Sequence, residues 1–367
     1  MNYLDKRKLI KSGYNLPILG IGAAPFMLSN NNVNNNSSAK TINSALNMGI
    51  NYFDTAPWYG LGRSELRIGN ILREMDRDKF ILSTKVGRIL KKTKPLEKSN
   101  VDYALWNNEI SSYDKSLKFY VHFDYSYDGI LRSYEDSMQR LGFSKIDMLV
   151  IHDLDFYYHK TEEKLNFYLN QLDKGGGWKA LEELRSSGEI SAIGVGINGD
   201  GLIPYFIPRF DIDFFLVAMR YTLLKQNVLS NDFPLCKKHN VNVVIGSPYQ
   251  SGILATGLKG NDQFEFGAGP TYNYKKPRQE IIEKIKVIQN ICDDFKVNIG
   301  AVSLQFPLLH PSVVSVIPGV INEEQINLNI ENLSIPIPQD LWKQLINSSI
   351  IREDSPIKYL QLIFLYF

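Results

Sequence analysis

Short apolar runs alternate along this chain with stretches in which apolar positions recur at helical spacing, the pattern of parallel strands joined by helices. The runs predict strands at Ile18–Gly22, Asn51–Asp54, Phe80–Lys85, Met148–His152, Ile190–Gly194, Phe214–Ala218, Val241–Ser247 and Val313–Ile317. Between them the spacing predicts helices at Ala39–Met48, Ser64–Glu74, Gly129–Leu141, Trp178–Ser186, Asn227–His239, Arg278–Asp294 and Ile299–Leu309. Gly49, Gly142 and Gly188 follow three of these helical stretches, where a left-handed cap is commonly glycine. Ahead of the first strand, Lys8-Leu9-Ile10, Ser12-Gly13 and Leu16–Ile18 read as a hairpin able to plug a barrel floor.

Eight such units can close into a (β/α)8 barrel or lie open as a doubly wound sheet. The open sheet normally carries G-x-G-x-x-G after its first strand. Here Ala23-Ala24-Pro25-Phe26 stands in that place, which favours the barrel, with residues 1–367 forming one domain. Two long stretches, about 87–128 and 153–177, break the rhythm after the third and fourth strands. Barrel enzymes build their sites at the strand C-termini, so these insertions are expected to wall a pocket rather than form separate domains. Their rings at Trp106, Phe119, Tyr120, Phe123, Tyr125 and Tyr157 are candidate stacking surfaces. Asn30–Asn36, NNNVNNN, reads as a solvated loop.

The 41 basic residues nearly balance the 39 acidic ones, for a formal net charge of +2, so no strong field draws the chain to nucleic acid or anionic lipid. A small molecule is the expected partner. Cys236 and Cys292 lie far apart without metal-ligand spacing, which fits a reducing compartment and argues against a disulfide framework. No apolar run of signal-peptide length follows Met1, and the terminal Leu360–Phe367 stretch is too short to cross a bilayer, so the expected location is the cytoplasm.

Asp54 and Tyr59 follow the second predicted strand, Lys85 ends the third and His152 ends the fourth, and a barrel would bring all four to one rim. Taken singly, they read equally as a helix cap, a loop aromatic, a surface charge and a core imidazole. Together they form the pairing that makes charge tolerable beside apolar runs. A phenol with an ordinary pKa near 10 exchanges protons more readily beside an ammonium. Lys85 would supply that ammonium, Asp54 would hold it, and His152 would donate a hydrogen bond to a substrate oxygen. This division of labour suits hydride transfer to or from a cofactor.

With Asn51–Gly60 (NYFDTAPWYG), Ser83-Thr84-Lys85, Ile151-His152 and Ile317-Pro318-Gly319 followed by Gln325 and Asn329, the sequence resembles the aldo-keto reductases along nearly its whole length. Phe123–Gly129, Arg220–Leu224 and Thr271–Tyr274 are most similar to the branch of D-threo-aldose 1-dehydrogenases, L-fucose dehydrogenases and pyridoxal 4-dehydrogenases. The resemblance implies a (β/α)8 barrel, a catalytic tetrad of Asp54, Tyr59, Lys85 and His152, and a bound NAD or NADP. It implies cofactor contacts from Ser247, Gly252 and Leu254 at the pyrophosphate, and from Pro318, Gly319, Gln325 and Asn329 at the adenosine end. Gly319, Val320 and Gln325 stand where many relatives carry cations around a 2′-phosphate, so NAD is preferred. Gly246 replaces the tyrosine that often stacks on nicotinamide, Ala218 replaces a common glutamine, and Asn198 falls one position late for the carboxamide. The branch implies oxidation of a hemiacetal carbon to a lactone. An NADPH-dependent carbonyl reductase and a cofactor-binding regulatory subunit are the alternatives.

Overall fold

The computed structural model describes residues 1–30, 32–92, 119–259 and 270–357. A floor hairpin comes first: β1 (Lys6–Lys8) pairs antiparallel with β2 (Asn15–Pro17), with Arg7 opposite Leu16 and the turn passing through Gly13 at φ 73°. The expected hairpin is present, paired slightly nearer the N-terminus than its apolar runs suggested. Leu9 and Leu16, both fully buried, plug the barrel interior.

Eight strands form one sheet in the order β3 (Ile21–Gly22), β4 (Tyr52–Asp54), β5 (Ile81–Val86), β8 (Met148–His152), β9 (Ala192–Ile197), β10 (Phe214–Ala218), β11 (Asn242–Gly246) and β12 (Val313–Ile317). All neighbouring pairs are parallel, and parallel bridges from Leu19 to Val316 and from Gly22 to Gly319 join the first strand to the last. The sheet is a closed (β/α)8 barrel. Its residues divide by strand alternation. Tyr52, Met148, Val150, Phe214, Leu216 and Val244 fill the inside with the hairpin leucines. Phe53, Leu149, Ile151, Val195, Val217 and Ile245 face the surrounding helices. Gly194 makes room for the inward Phe214 ring, whose Cζ would lie 2.5 Å from an added Cβ.

Six of the seven predicted helices lie within a few residues of their expected limits. The exception, Asn227–His239, is divided into a 3-10 turn at Asn227–Leu229 and a helix at Asp232–Lys238. Pro234 lies in the first turn of the second piece, where its missing N–H costs no hydrogen bond but its ring blocks a helix running through from the N-terminal side. The asparagine-rich segment departs from the expected solvated loop. Val33 is buried, and Asn34 caps a helix that starts at Asn35, accepting from the Ser37 N–H while Ser37 reciprocates. Asparagine is a favoured cap because its carbonyl reaches the unpaired amides of the first turn.

The described parts of both insertions fold against the rim. In the first, β6 (Arg88–Lys91) and β7 (Tyr120–Phe123) pair antiparallel, with Arg88 opposite Phe123. The second holds helices at Phe156–His159 and Glu162–Asp173. Trp106 and the Leu360–Phe367 tail lie outside the described residues.

Candidate active site

Parallel strands end on the same side of a barrel, and register brings the candidate residues together there. Asp54 ends β4 and pairs with Ser83, Lys85 sits next to the end of β5 opposite Val150, and His152 ends β8 opposite Gly196. Asp54, Lys85 and His152 are each only 2% exposed. Lys85 Nζ donates to Asp54 Oδ2 at 2.6 Å and to the Thr55 carbonyl at 2.8 Å, while Ser83 Oγ donates to Asp54 Oδ1 at 2.7 Å. Tyr59 lies on the turn after β4, half-buried against Met27, Leu28, Val33 and Ile321. Lys85 Nζ is 4.7 Å from the centroid of the Tyr59 ring, and the His152 ring stands edge-on to that ring at 6.0 Å.

Burial raises the Tyr59 phenol well above its usual pKa, the carboxylates Asp54 and Asp153 raise it further, and Arg88 partly opposes them. This differs from the expectation that Lys85 would lower the phenol. The ammonium faces a carboxylate at 2.6 Å, so much of its field at Tyr59 is cancelled. Burial lowers His152 to about 3 against the opposing pull of Asp153, leaving a neutral imidazole at neutral pH.

Sequence reasoning passed over the group behind His152. Asp153 adopts a left-handed conformation, φ 50°, that places Oδ2 3.1 Å from His152 Nε2 and 2.6 Å from the Arg88 guanidinium. Arg88 is fully buried and its guanidinium carbon lies 4.1 Å from the Tyr158 ring centroid, 4.8 Å from Trp58 and 5.1 Å from Phe123. Asn198 Nδ2 donates to Asp153 Oδ1 at 2.6 Å, and its backbone N–H to Asp155 Oδ2 at 3.0 Å. Burial, reinforced by the charge of Asp153, raises Asp155 to about 6. The available signal was a second charge, Asp153, directly after an apolar strand, and an arginine opening an insertion.

The tetrad lines one end of a cleft of about 380 Å³. Ser247, Gly252, Pro318, Gly319, Gln325 and Asn329 line the same cleft. Leu254 does not: it is fully buried in the core between barrel and helices. Ser247, Gln250, Ser251 and Gly252 all have positive φ, which winds this segment along the cleft wall. Asn332 Nδ2 donates to Tyr249 Oη at 3.0 Å, and Tyr249 in turn donates to Asn329 Oδ1 at 2.7 Å. Among the described residues lining the cleft, Lys85 is the only lysine or arginine.

Ring surfaces come from an unexpected set. Trp58, Tyr158 and Tyr274 line the cleft, with Tyr274 hydrogen-bonded to Ser247. Of the six insertion rings proposed from sequence, Tyr125 is buried with its hydroxyl donating to the His152 carbonyl at 2.8 Å, and Phe123 packs on Tyr125 and Arg88. Phe119 is largely exposed, Tyr120 sits at the end of the insertion hairpin, and Tyr157 lines a neighbouring cavity.

A closed parallel barrel whose rim combines a buried lysine–carboxylate pair, a tyrosine and a histidine defines a class of oxidoreductase. The aldo/keto reductase family model matches residues 18–349, and the chain belongs to that family. It is 35% identical to a pyridoxal 4-dehydrogenase from Microbacterium luteolum over 95% of this chain and 98% of that one. It is 31% identical to a D-threo-aldose 1-dehydrogenase from a Pseudomonas species over 93% and 96% of the two chains. Among solved structures, an aldo-keto reductase from Bacillus halodurans in its holo form superposes with a TM-score of 0.69 at 21% identity, covering 96% of this chain and 99% of that one. The protein is thus an aldo-keto reductase, an NAD(P)-dependent oxidoreductase.

Proposed function

We propose that this enzyme oxidises the hemiacetal carbon of an aldose, of the L-fucose, D-arabinose or L-galactose type, to a lactone, with NAD as the preferred cofactor. The observation that carries this reading is the Lys85–Asp54 pair beneath Tyr59, with His152 beside it, in a cleft lined elsewhere by apolar side chains, glycines, amides and hydroxyls. Pyridoxal, which also closes to a cyclic hemiacetal, is the second substrate class; the pyridoxal 4-dehydrogenase at 35% identity favours it.

The cleft suits a nicotinamide dinucleotide. Gly196, Gly246 and Ala218 contribute small residues to its wall, and Tyr274 contributes a ring surface. Ser247, Ser251 and Gly252 would hold the phosphates, and Gln325 and Asn329 the adenosine end. A 2′-phosphate calls for charge-assisted donors. Among the described residues, no arginine or lysine lines the cleft at that end, which supports NAD. When bound, the cofactor supplies the hydride acceptor.

The protein's own share is one proton and the alignment of the substrate. Neutral His152 carries one N–H, on the Nε2 that faces Asp153 at 3.1 Å, and would share it between that carboxylate and the anomeric oxygen, fixing the oxygen's approach. Tyr59, once ionised, removes the anomeric hydroxyl proton; in reverse it returns that proton to a carbonyl oxygen. Asp54 and the Thr55 carbonyl anchor Lys85, which stabilises the phenolate face-on. A screen of L-fucose, L-galactose, D-arabinose and pyridoxal with NAD+ and NADP+, following reduced cofactor, tests the proposal. Oxidation of none of the four, or strict dependence on NADP+, would overturn it.

A further inference from the structure

Beside the catalytic cleft lies a second cavity of about 540 Å³, and Tyr158, Asn198, Met219 and Tyr274 line both. Its other walls carry Arg220, Lys225, Lys275, Lys276, Arg278 and Lys284 against one carboxylate, Glu280. Lys284 pairs with Glu280 at 2.9 Å. Among the described residues, no carboxylate forms an ion pair with the other five cations. A chain with a formal net charge of only +2 therefore concentrates positive charge at one mouth of its active site.

The cations are presented by ordered turns. Thr222 and Lys225 exchange backbone hydrogen bonds at 2.8 and 3.1 Å, and Tyr272 and Lys275 do the same at 2.8 and 3.1 Å, so two similar tight turns each place a lysine on this cavity. Arg220 is fixed by its Nε donating to the Asn198 carbonyl at 2.5 Å. Its field is felt across the cavity: burial raises the phenols of Tyr157 and Tyr272, and Arg220 opposes that rise in both. Tyr157, Tyr272, Leu224 and Ile281 supply ring and apolar surface between the charges. None of Ser247, Gly252, Pro318, Gly319, Gln325 and Asn329 lines this cavity, which sets it apart from the proposed cofactor cradle.

We propose that this cavity is a substrate subsite for a phosphate ester, so that the enzyme acts on a phosphorylated aldose whose anomeric end reaches Tyr59 while its phosphate rests among Arg220, Lys225 and Lys275. A phosphomonoester carries close to two negative charges at neutral pH and several acceptor oxygens, which matches a cluster of cations better than a single carboxylate would. The inference rests on the hemiacetal reading above. D-arabinose and D-arabinose 5-phosphate form a matched pair, because the phosphate ester still closes through its 4-hydroxyl. Its oxidation gives the phosphorylated lactone, with one hydride, which carries both electrons, passing to NAD+ and one proton released.

The test compares the two sugars in the wild type and in the Lys225→Gln/Lys275→Gln double variant, with NAD+ saturating and its KM measured. The expected result is a kcat/KM about tenfold or more higher for the phosphate ester, carried by KM, weakened by salt and lost in the double variant. Neutral arabinose and the KM for NAD+ should be unchanged. Equal kcat/KM for the two sugars would overturn the inference, and so would a rise in the KM for NAD+ with either sugar, which would assign the cations to the cofactor pyrophosphate. If neither sugar is oxidised, the arabinose type is excluded, and the screen of four substrates decides the hemiacetal reading by itself. Calorimetric titration of arabinose 5-phosphate into the protein–NAD+ complex then decides the subsite: binding lost in the double variant supports it, and no binding to the wild type refutes it.

Discussion

Replacing Lys85 with methionine removes a cation of similar volume from a site where both partner side chains are only 3% exposed. Asp54 would keep the Ser83 hydrogen bond at 2.7 Å but lose the ammonium at 2.6 Å, leaving a carboxylate buried without a counter-charge. Breaking such a pair from one side costs about 3–5 kcal/mol, against a total stability of about 5–15 kcal/mol for an ordinary domain. Lys85→Met should therefore fold but with a markedly lower urea midpoint. Removing both charges changes the sign of the argument, because a buried pair replaced by neutral groups is often no less stable. Lys85→Met/Asp54→Asn should recover most of the lost stability and none of the activity, since nothing then stabilises ionised Tyr59. Urea unfolding followed by circular dichroism, with initial rates on the same samples, reads both quantities. A double variant that regains turnover along with stability would refute the assignment of Lys85 to the phenol, and a single variant as stable as wild type would refute the buried pair.

Tyr59→Phe should reduce oxidation to background while leaving cofactor affinity, measured by fluorescence titration, nearly unchanged; an active variant removes Tyr59 from proton transfer. Asp153→Asn, which unpairs Arg88 and the carboxylate facing His152 Nε2, should lower kcat by roughly tenfold to a hundredfold with a smaller change in KM, in keeping with about 1.5–3 kcal/mol for a charged hydrogen bond; unchanged kinetics would show that His152 is oriented without it. Because the phenol is raised by burial, the base needed for oxidation is scarce at neutral pH, so kcat/KM for oxidation should climb with pH into the alkaline range. His152, lowered to about 3, is already neutral throughout that range and should add no inflection near its ordinary 6.5; a bell-shaped profile centred near neutrality would contradict both statements.

Much of the fold was legible because its causes are local. Strand alternation and helical spacing are written in neighbouring residues, and the eight predicted runs correspond to the eight strands of the barrel. The helices at Glu162–Asp173, Glu323–Ser334 and Gln339–Asn347 were passed over, two of them beyond the last strand, where alternation with strands gives no guide. Asp54, Lys85 and His152 were found because strand ends in a parallel barrel share a rim whatever the helices do between them. The NNNVNNN run misled because composition describes solubility, whereas capping depends on which asparagine meets the first unpaired amides.

What the sequence determined by itself is the barrel and the placing of Asp54, Lys85 and His152 at its rim, since these follow from periodicity and position along each strand. Tertiary structure alone decided how far the paired Asp54 offsets the field of Lys85 at Tyr59, and that Arg88 and Asp153 stand behind His152. It also decided that Tyr274 lines the cleft and that lysines from two separate turns meet at one cavity. Charge interactions depend on distances of a few ångströms between segments far apart in the chain, and only folding sets those distances.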